Sequence, residues 1–331
     1  MPRERPPPCR RSSCVRRGRG GDGPESAFQI LLPRRAPLNL AAGRLRQRSP
    51  PDHQDLVRLQ PPVLQDRAPY ALAQAGIPPE TVDTVLLASM SHLEQSPPAA
   101  PRVAHRMGAV SAGAMDVGAA CAGFGHALAT ADSLIRSGNS RHVVVVGSER
   151  MTDIVDPLDR GTAFLFGDGA GAVVVGPAAE PGIGPVVWGS EGDRHEAIAH
   201  SAPWNGRDTE AAVRPTLRMD GPAVFRWAVS TVPRTARAAL DAAGVTTAEL
   251  AAFIPHQANL RIVDGAASAL RLPPHVVVAR DVVHAGNTSA ASVPLAMEEL
   301  LARGAVPRGG LALLVGFGAG LSHAAQVVVM P

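Results

Sequence analysis

The sequence predicts an α/β fold made of two similar halves within one chain, and two observations indicate it. The segment Ala71–Ile77 (ALAQAGI) is similar to Ala239–Val245 (ALDAAGV), and each precedes an apolar run expected to form a strand. The same offset, 168 residues (71 to 239), relates the apolar strands predicted at Val143–Val146 and Leu311–Leu314. A period this long is not a solenoid repeat, so we expect two βαβ-like halves packed as a pseudo-dimer.

In the first half, a cysteine lies where a predicted strand ends and a predicted helix begins. A short apolar run closes at Asp116, and residues 123–138 carry apolar side chains at helical spacing, with Cys121 between them. A thiol at a helix N-terminus lies among unpaired N–H groups and the positive end of the helix dipole, which favours the nucleophilic thiolate. The alternative is a buried structural cysteine, a common fate of this residue type.

Two polar side chains occupy similar junctions in the second half. His256, in the run PHQANLR, follows an apolar strand at 251–254, and Asn287, in GNTSAAS, precedes a helix predicted at 293–302. Either alone is explained as a solvated histidine or a turn asparagine. Because active sites of α/β folds collect at strand-to-helix junctions, the three together predict a nucleophile, a proton partner and a hydrogen-bond donor. The repeat also maps Cys121 onto Ser289, so these junctions should face each other.

Four motifs in this order carry a resemblance to a known family. They are Asp116…Cys121-Ala122-Gly123-Phe124, Phe166–Ala172 (FGDGAGA), Pro255–Asn259 (PHQAN) and Gly286–Ser292 (GNTSAAS). Over residues 68–331 the chain resembles the β-ketoacyl-[acyl-carrier-protein] synthase III family, especially its actinobacterial members. The resemblance implies the thiolase fold, a five-layered αβαβα duplication, which agrees with the internal repeat.

The resemblance also implies catalytic roles. Cys121 would accept an acyl group from an acyl-CoA primer, while His256 and Asn287 would stabilise the enolate formed when malonyl on acyl carrier protein loses CO2. The oxyanion hole would comprise the Cys121 N–H and a backbone N–H within Gly318-Ala319-Gly320. No metal or redox cofactor is expected, since acyl-CoA and malonyl-acyl carrier protein are substrates.

Further roles follow from the same resemblance. Arg160 would bind coenzyme A, Arg261 would contact acyl carrier protein, and Leu93 and Phe166 would line the substrate pocket. The chain is expected to be a cytoplasmic homodimer that initiates fatty-acid synthesis. Loading of a starter unit in a polyketide pathway is one alternative, and a catalytically impaired chain that lacks the N-terminal element of the family is another.

Charge and composition divide the chain unevenly. Residues 1–66 contain thirteen arginines against six acidic residues, whereas the remaining residues carry a net negative charge, so the overall +3 does not indicate a nucleic-acid-binding body. The first 66 residues are rich in Arg and Pro with weak periodicity, and we match neither the first strand of the family nor its coenzyme A-stacking Trp and Arg there. We expect disorder or an altered reading frame in 1–66, with a basic partner-binding tail as the rival. Two thiolase-like halves are expected at 67–180 and 181–331.

Other interpretations have less support. No apolar run is long enough to span a bilayer, and no signal-peptide h-region is present. The glycine-rich runs at 166–171 and 316–320 lack the spacing of nucleotide-binding loops, so we expect them to permit close backbone approach. The order Cys, His, Asn is also that of papain-like proteases, but no Trp follows the cysteine and the body has a single Cys.

Overall fold

The computed structural model describes residues 26–29, 62–94, 96–203 and 214–331 and contains two related halves. The first half contains β1 Ser26–Gln29, α1 Pro62–Ala75, β2 Thr84–Ala88, α2 Ala100–Arg106, β3 Gly113–Val117, α3 Gly123–Arg136, β4 Val143–Arg150 and β5 Asp168–Pro177. The second contains β6 Val187–Gly189, β7 Ile198–His200, β8 Leu217–Met219, α4 Gly221–Ala243, β9 Leu250–Pro255, α5 Leu260–Leu270, β10 Val277–Val278, α6 Val282–Ala285, α7 Ser292–Ala302, β11 Leu311–Gly318 and β12 Ser322–Val329.

The two main sheets repeat one topology. The first has the order β1-β5-β4-β2-β3, and the second, read from the corresponding edge, has the order β6-β12-β11-β9-β10. In each sheet three neighbouring strands run parallel: β4, β2 and β3 in the first sheet, and β11, β9 and β10 in the second. The remaining strands pair antiparallel, β5 with β4 and β1 with β5 in the first sheet, and β12 with β11 and β6 with β12 in the second. Strand order and direction therefore confirm the duplication predicted from the sequence repeat.

The core has five layers. Helices α3 and α7 lie between the sheets, where Phe124 and Met297 pack with Val145 of one sheet and Leu314 of the other. The outer faces are covered by α1 and α2 on the first sheet and by α4 and α5 on the second. Burial of both sheet faces explains why β4 begins with four consecutive valines rather than an alternating pattern. The αβαβα architecture expected from the resemblance is confirmed.

The N-terminal segment contributes to this architecture. The prediction for residues 1–66 falls largely outside the described residues, but β1 lies within it and pairs antiparallel with β5. Strand β1 occupies the position that β6 has in the second sheet. No first strand was matched here from the sequence, because four residues carry too little periodicity to be recognised without their partner strand. The helix α1 also begins at Pro62, before the expected boundary at residue 67.

The two halves meet at matching turns. A 3₁₀ turn at Ala120–Ala122 precedes α3, a second at Ser289–Ala291 precedes α7, and the two turns contact each other. Ala120 and Ser289 have φ values of 45° and 47°, in the left-handed region that residues other than glycine rarely adopt. By backbone conformation Ser289 therefore corresponds to Ala120, and the predicted pairing of Cys121 with Ser289 is wrong by one residue.

Two further findings concern the described residues only. None of their helices is both long and apolar enough to cross a bilayer. In the same ranges, no group of three or more His, Cys, Asp or Glu side chains is arranged to hold a metal ion.

Candidate active site

Cys121 lies in the turn between β3 and α3, as predicted, but burial opposes the expected thiolate. The residue is 7% exposed, and loss of hydration raises the pKa of its thiol to about 12. The negative charge of Glu149 acts in the same direction as burial, whereas hydrogen bonding with the Ser289 hydroxyl and with backbone N–H groups acts to lower the pKa, and the value of about 12 is the result of all these effects. The neutral thiol is therefore the resting form, and the helix N-terminus does not by itself produce a thiolate.

The turn after β11 closes over the cysteine. A Cβ atom at Gly318 would lie 2.6 Å from the Cys121 Cβ and 3.0 Å from its Sγ, so only glycine fits. This close approach brings the Ala319 N–H, together with the N–H of Cys121, into hydrogen bonding with the sulfur. Of the three residues predicted to supply the second oxyanion donor, Ala319 is the one whose N–H lies beside the sulfur.

His256 follows β9 and is held on both sides. The ring is 2% exposed, its Nδ1 lies 2.7 Å from the Ser292 Oγ, and its edge meets the Phe317 ring with centroids 5.1 Å apart. Ser292 Oγ also accepts the Gln257 N–H at 3.3 Å. Among the described residues, Nδ1 is the one acceptor within reach of the Ser292 hydroxyl proton, so Ser292 donates to Nδ1 and the ring proton lies on Nε2. Burial lowers the pKa of this imidazole to about 3, so it is a neutral hydrogen-bond donor.

Asn287 is fixed by backbone bonds. Its N–H donates to Leu165 O at 2.8 Å, and its C=O accepts the Gly167 N–H at 3.0 Å. Its Oδ1 accepts the Ser289 N–H at 2.9 Å, so the side-chain NH2 remains available as a donor. The glycine-rich run beside it packs closely, since a Cβ at Gly167 would lie 2.3 Å from the Ala285 carbonyl oxygen. This agrees with the role expected for that run.

These contacts join the three predicted residues into one cluster. Cys121 connects through Ser289 to Asn287, and through Gly318 and the adjacent Phe317 to His256. Phe166 forms an isolated bridge with Asn287 and lies against a small apolar cluster. That cluster comprises Met90, Met151, Ile154, Phe166, Ile198 and Leu217.

The remaining predicted residues lie away from this cluster. Arg160, Arg261 and Leu93 are exposed, and Leu93, with 42% of its surface accessible, is not part of the apolar cluster around Phe166. Asp116, which opens the cysteine motif, has a structural role. Its carboxylate accepts the N–H groups of Ala99 and Ala100 at 2.9 and 2.7 Å, at the start of α2.

Sequence reasoning missed Glu149 and Ser292. Glu149 is 3% exposed and accepts hydrogen bonds from Ser91 and from Ser289, whose hydroxyl lies 2.9 Å away. It follows the valine run of β4, so the rule that polar residues at the carboxyl end of a buried strand deserve inspection could have found it. Ser292 gave no such signal, because its role depends on the position of His256.

This fold, with a buried cysteine where its two duplicated halves meet, defines a class: the thiolase-fold condensing enzymes. The family of 3-oxoacyl-[acyl-carrier-protein] synthase III matches residues 115–192, and the C-terminal domain of that synthase matches residues 240–330. The chain belongs to the 3-oxoacyl-[acyl-carrier-protein] synthase III family.

Individual relatives agree with this assignment. The chain is 52% identical to the β-ketoacyl-[acyl-carrier-protein] synthase III of Streptomyces glaucescens over 79% of each chain. It is 48% identical to the mycobacterial β-ketoacyl-[acyl-carrier-protein] synthase III of Mycobacterium avium, over 79% of this chain and 78% of the relative. Among solved structures, the priming β-ketosynthase of the R1128 polyketide pathway is 50% identical with a TM-score of 0.78, covering 81% of this chain and 82% of the other.

Proposed function

We propose that the chain is a β-ketoacyl-[acyl-carrier-protein] synthase III that joins a short acyl-CoA primer to malonyl-acyl carrier protein, with loss of CO2, to begin fatty-acid synthesis. The observation that carries this proposal is the buried cluster in which the Cys121 thiol meets two backbone N–H groups, beside a neutral imidazole and a free amide. These groups match the needs of an acyl transfer followed by an enolate.

In the first half-reaction, Cys121 Sγ attacks the thioester carbonyl of the acyl-CoA. The developing oxyanion accepts hydrogen bonds from the N–H groups of Cys121 and Ala319, which already converge on this position. Coenzyme A leaves as a thiol, and the acyl group remains on Cys121. Exchange of one thioester for another is nearly balanced, so the step requires a thiolate and an oxyanion hole rather than an external energy source.

In the second half-reaction, malonyl-acyl carrier protein loses CO2 and its thioester oxygen becomes an enolate. His256 Nε2–H and the Asn287 NH2 donate to this oxygen. Both groups are neutral and both are oriented by a second contact, His256 by Ser292 and Asn287 by the Ser289 N–H. The enolate carbon then attacks the acyl-Cys121 carbonyl and releases the β-ketoacyl product. Loss of one such donor typically slows a reaction ~10²–10³-fold.

Substrate recognition is assigned to the periphery of the cluster. We place the acyl chain against Phe166 and the apolar residues packed around it. The exposed guanidinium groups of Arg160 and Arg261 suit the anionic coenzyme A and an acidic carrier protein, respectively. Leu93 is assigned to the pocket of a second subunit, because in the isolated chain it is exposed.

We further propose a homodimer formed through β3. This strand lies at the edge of the first sheet, so one side of its backbone has no strand partner among the described residues. Met115 on β3 is 47% exposed and Val110 beside it is 69% exposed, an apolar surface that a second copy would cover. A twofold axis would pair β3 with itself and extend the sheet.

A second candidate function is the loading of a polyketide starter unit. The 50% identity to a priming ketosynthase of a polyketide pathway favours it. The chemistry is the same, and only the acyl primer and the carrier protein differ. Comparing condensation rates with the carrier proteins of the two kinds of pathway, at one primer concentration, distinguishes the candidates.

The proposal is tested by separating the two half-reactions. Intact-protein mass spectrometry after incubation with acetyl-CoA and branched acyl-CoAs should show one acyl adduct, and Cys121→Ser should abolish it. His256→Ala and Asn287→Ala should keep the adduct but lose ¹⁴CO2 release from labelled malonyl-acyl carrier protein. A catalytically impaired chain would show no adduct in the unaltered protein, and an adduct that persists in Cys121→Ser would contradict the nucleophile.

A further inference from the structure

The mechanism leaves one step without a base. Cys121 rests as a neutral thiol, yet acylation requires a thiolate. His256 cannot take the proton at Nε2, since Ser292 occupies Nδ1 and the ring proton is on Nε2. The helix N-terminus next to Cys121 does not compensate for burial. Another acceptor within reach of the sulfur is therefore needed.

Ser289 and Glu149 form a path that leads away from the thiol. The Ser289 hydroxyl lies next to the Cys121 thiol, whose pKa it affects, and it donates to Glu149 Oε1 at 2.9 Å. Because a serine hydroxyl has one proton and two lone pairs, a Ser289 that donates to Glu149 can accept the S–H of Cys121. Ser289 has no exposed surface and Glu149 is 3% exposed, so the path excludes bulk water.

The carboxylate at the end of this path is held in place from several sides. Its Oε2 accepts the Ser91 hydroxyl at 2.6 Å and the Ser91 N–H at 3.0 Å, and the Met90 N–H lies 3.1 Å away. These donors allow an ionised carboxyl group inside the protein. Burial nevertheless raises the pKa of Glu149, which makes it a better proton acceptor than an exposed glutamate.

We propose that Ser289 relays the Cys121 thiol proton to Glu149 during acylation. The Cys121 S–H bond breaks as an O–H bond forms at Ser289, while the original Ser289 proton passes to Glu149 Oε1. The thiolate attacks the acyl-CoA thioester, and the carbon–sulfur bond to coenzyme A breaks. The proton then returns from Glu149 through Ser289 to the departing coenzyme A sulfur, so each turnover restores the carboxylate.

The backbone conformation at Ser289 fixes the position of the hydroxyl group that would carry the proton. Ser289 has φ 47°, and its N–H orients Asn287 while its side chain contacts the thiol. The other titratable groups near this path are His256, which is neutral, and Arg150, which forms an ion pair with Asp153 at 2.9 Å. Glu149 is the charged group that acts on Cys121.

A rival account makes opposite predictions. In the rival account, Glu149 only holds the loop at Ser91 in place, and its negative charge disfavours the Cys121 thiolate by repulsion. Removing that charge should then make Cys121 more reactive at neutral pH. If Glu149 accepts the proton, removing the carboxylate should make Cys121 less reactive at neutral pH. The two variants Glu149→Gln and Ser289→Ala interrupt the relay at different points. Alanine is compatible with the backbone at 289, since Ala120 adopts nearly the same φ.

The relay rests on the proposed acyl transfer, but its test does not depend on that activity. The rate of Cys121 alkylation by iodoacetamide is measured from pH 6 to 10 by peptide mass mapping, in full-length protein with Cys9 and Cys14 changed to Ser. We expect both variants to react at least tenfold more slowly than this parent at pH 7, with the difference shrinking towards pH 10 where hydroxide removes the proton. Ser133→Ala, which removes a hydroxyl that donates to Ala129 O within α3 and makes no contact with Glu149, should stay within about threefold.

Acylation by acetyl-CoA in a stopped-flow burst should follow the same pH pattern. Release of CO2 from malonyl-acyl carrier protein should fall much less in Ser289→Ala, because the backbone N–H that orients Asn287 is retained. Thermal unfolding shows whether each variant is folded. If Glu149→Gln or Ser289→Ala does not fold, the other variant tests the relay. Alkylation that is unchanged or faster in the folded variants, or slowed equally at every pH, would overturn the relay. An absence of acyl transfer in the parent would count against the proposed function alone.

Discussion

Cys121 and His256 are both buried, and burial moves their pKa values in opposite directions. The thiol pKa rises to about 12 and the imidazole pKa falls to about 3. In both residues the shift favours the neutral form, because a charged group loses its hydration in the interior. The neutral imidazole suits hydrogen-bond donation to an enolate, whereas the neutral thiol has to lose its proton before it can react.

The His256 shift predicts a pH dependence of stability. Between pH 6.5 and about 3 the unfolded chain protonates this histidine and the folded chain does not, so stability falls as pH decreases through that window. At pH 5 the loss attributable to His256 is on the order of 2 kcal/mol, at 1.36 kcal/mol per pH unit. Urea unfolding at pH 7 and pH 5 should show a correspondingly smaller drop for His256→Asn. His105→Asn, at an exposed position, should keep the full drop, and equal drops in all three proteins would refute the assignment.

The close approach at Gly318 makes a second residue-scale prediction. Gly318→Ala would push the turn away from Cys121, since the new Cβ would lie 2.6 Å from the cysteine Cβ. The Ala319 N–H would move with it, and we expect acylation to slow ~10²–10³-fold, the usual effect of losing an oxyanion donor. Gly118→Ala, also close to Cys121 in sequence but with open space within 4 Å of where its new Cβ would lie, is the matched control and should acylate normally. Normal burst kinetics in Gly318→Ala would exclude Ala319 as the donor.

Among the elements, the helices that flank the second sheet depend on their ends as well as on their buried faces. The longest, α4, spans 23 residues and begins after Asp220, whose Oδ1 accepts the Ala223 N–H at 3.0 Å. It ends at Gly244, which has φ 65°. Its buried side includes Trp227, whose indole N–H reaches Glu191 at 2.9 Å. These contacts position the helix on the outer face of the sheet that supplies His256 and Gly318.

Removing the Asp220 cap should destabilise this element. We expect Asp220→Ala to reduce the free energy of unfolding by about 0.5–2 kcal/mol, because the Ala223 N–H loses its acceptor. Asn at the same position retains an acceptor oxygen and should recover most of the loss. The free energy of unfolding of both variants is measured by chemical denaturation. Asp241→Ala, at the other end of the helix, should have little effect or stabilise slightly, since an acidic group there opposes the helix dipole.

At the scale of the whole molecule, the duplicated fold leaves β3 at the edge of its sheet with Met115 exposed. Charge at this position would be buried without a partner in a dimer formed through β3. Met115→Arg should therefore shift the mass measured by light scattering from roughly twice 34.3 kDa towards 34.3 kDa. Val283→Arg, at a position 59% exposed on α6, should remain dimeric. A monomeric, active parent protein at micromolar concentration would contradict the proposed assembly.

Local patterns were sufficient to predict the central strands of both sheets, the helices that follow Cys121 and Asn287, and three residues of the candidate site. The repeat of ALAQAGI and ALDAAGV, the valine run of β4 and the strand-to-helix junctions at Cys121, His256 and Asn287 are each contained in short stretches of sequence. Because strand and helix periodicities act over a few residues, such stretches determine which elements form and in which order. The five layers were expected from the family resemblance, and in the structure they cover both faces of the two sheets.

Only the tertiary structure decided the protonation of the site and the partners of its residues. The sequence pattern predicted a thiolate from the helix N-terminus, but the pKa of Cys121 depends on how much water the assembled halves exclude. The bond between Glu149 and Ser289 joins positions 140 residues apart, and β1 is a strand only because β5 lies beside it. Burial and contacts between distant residues arise when the layers pack, so no local pattern contains them.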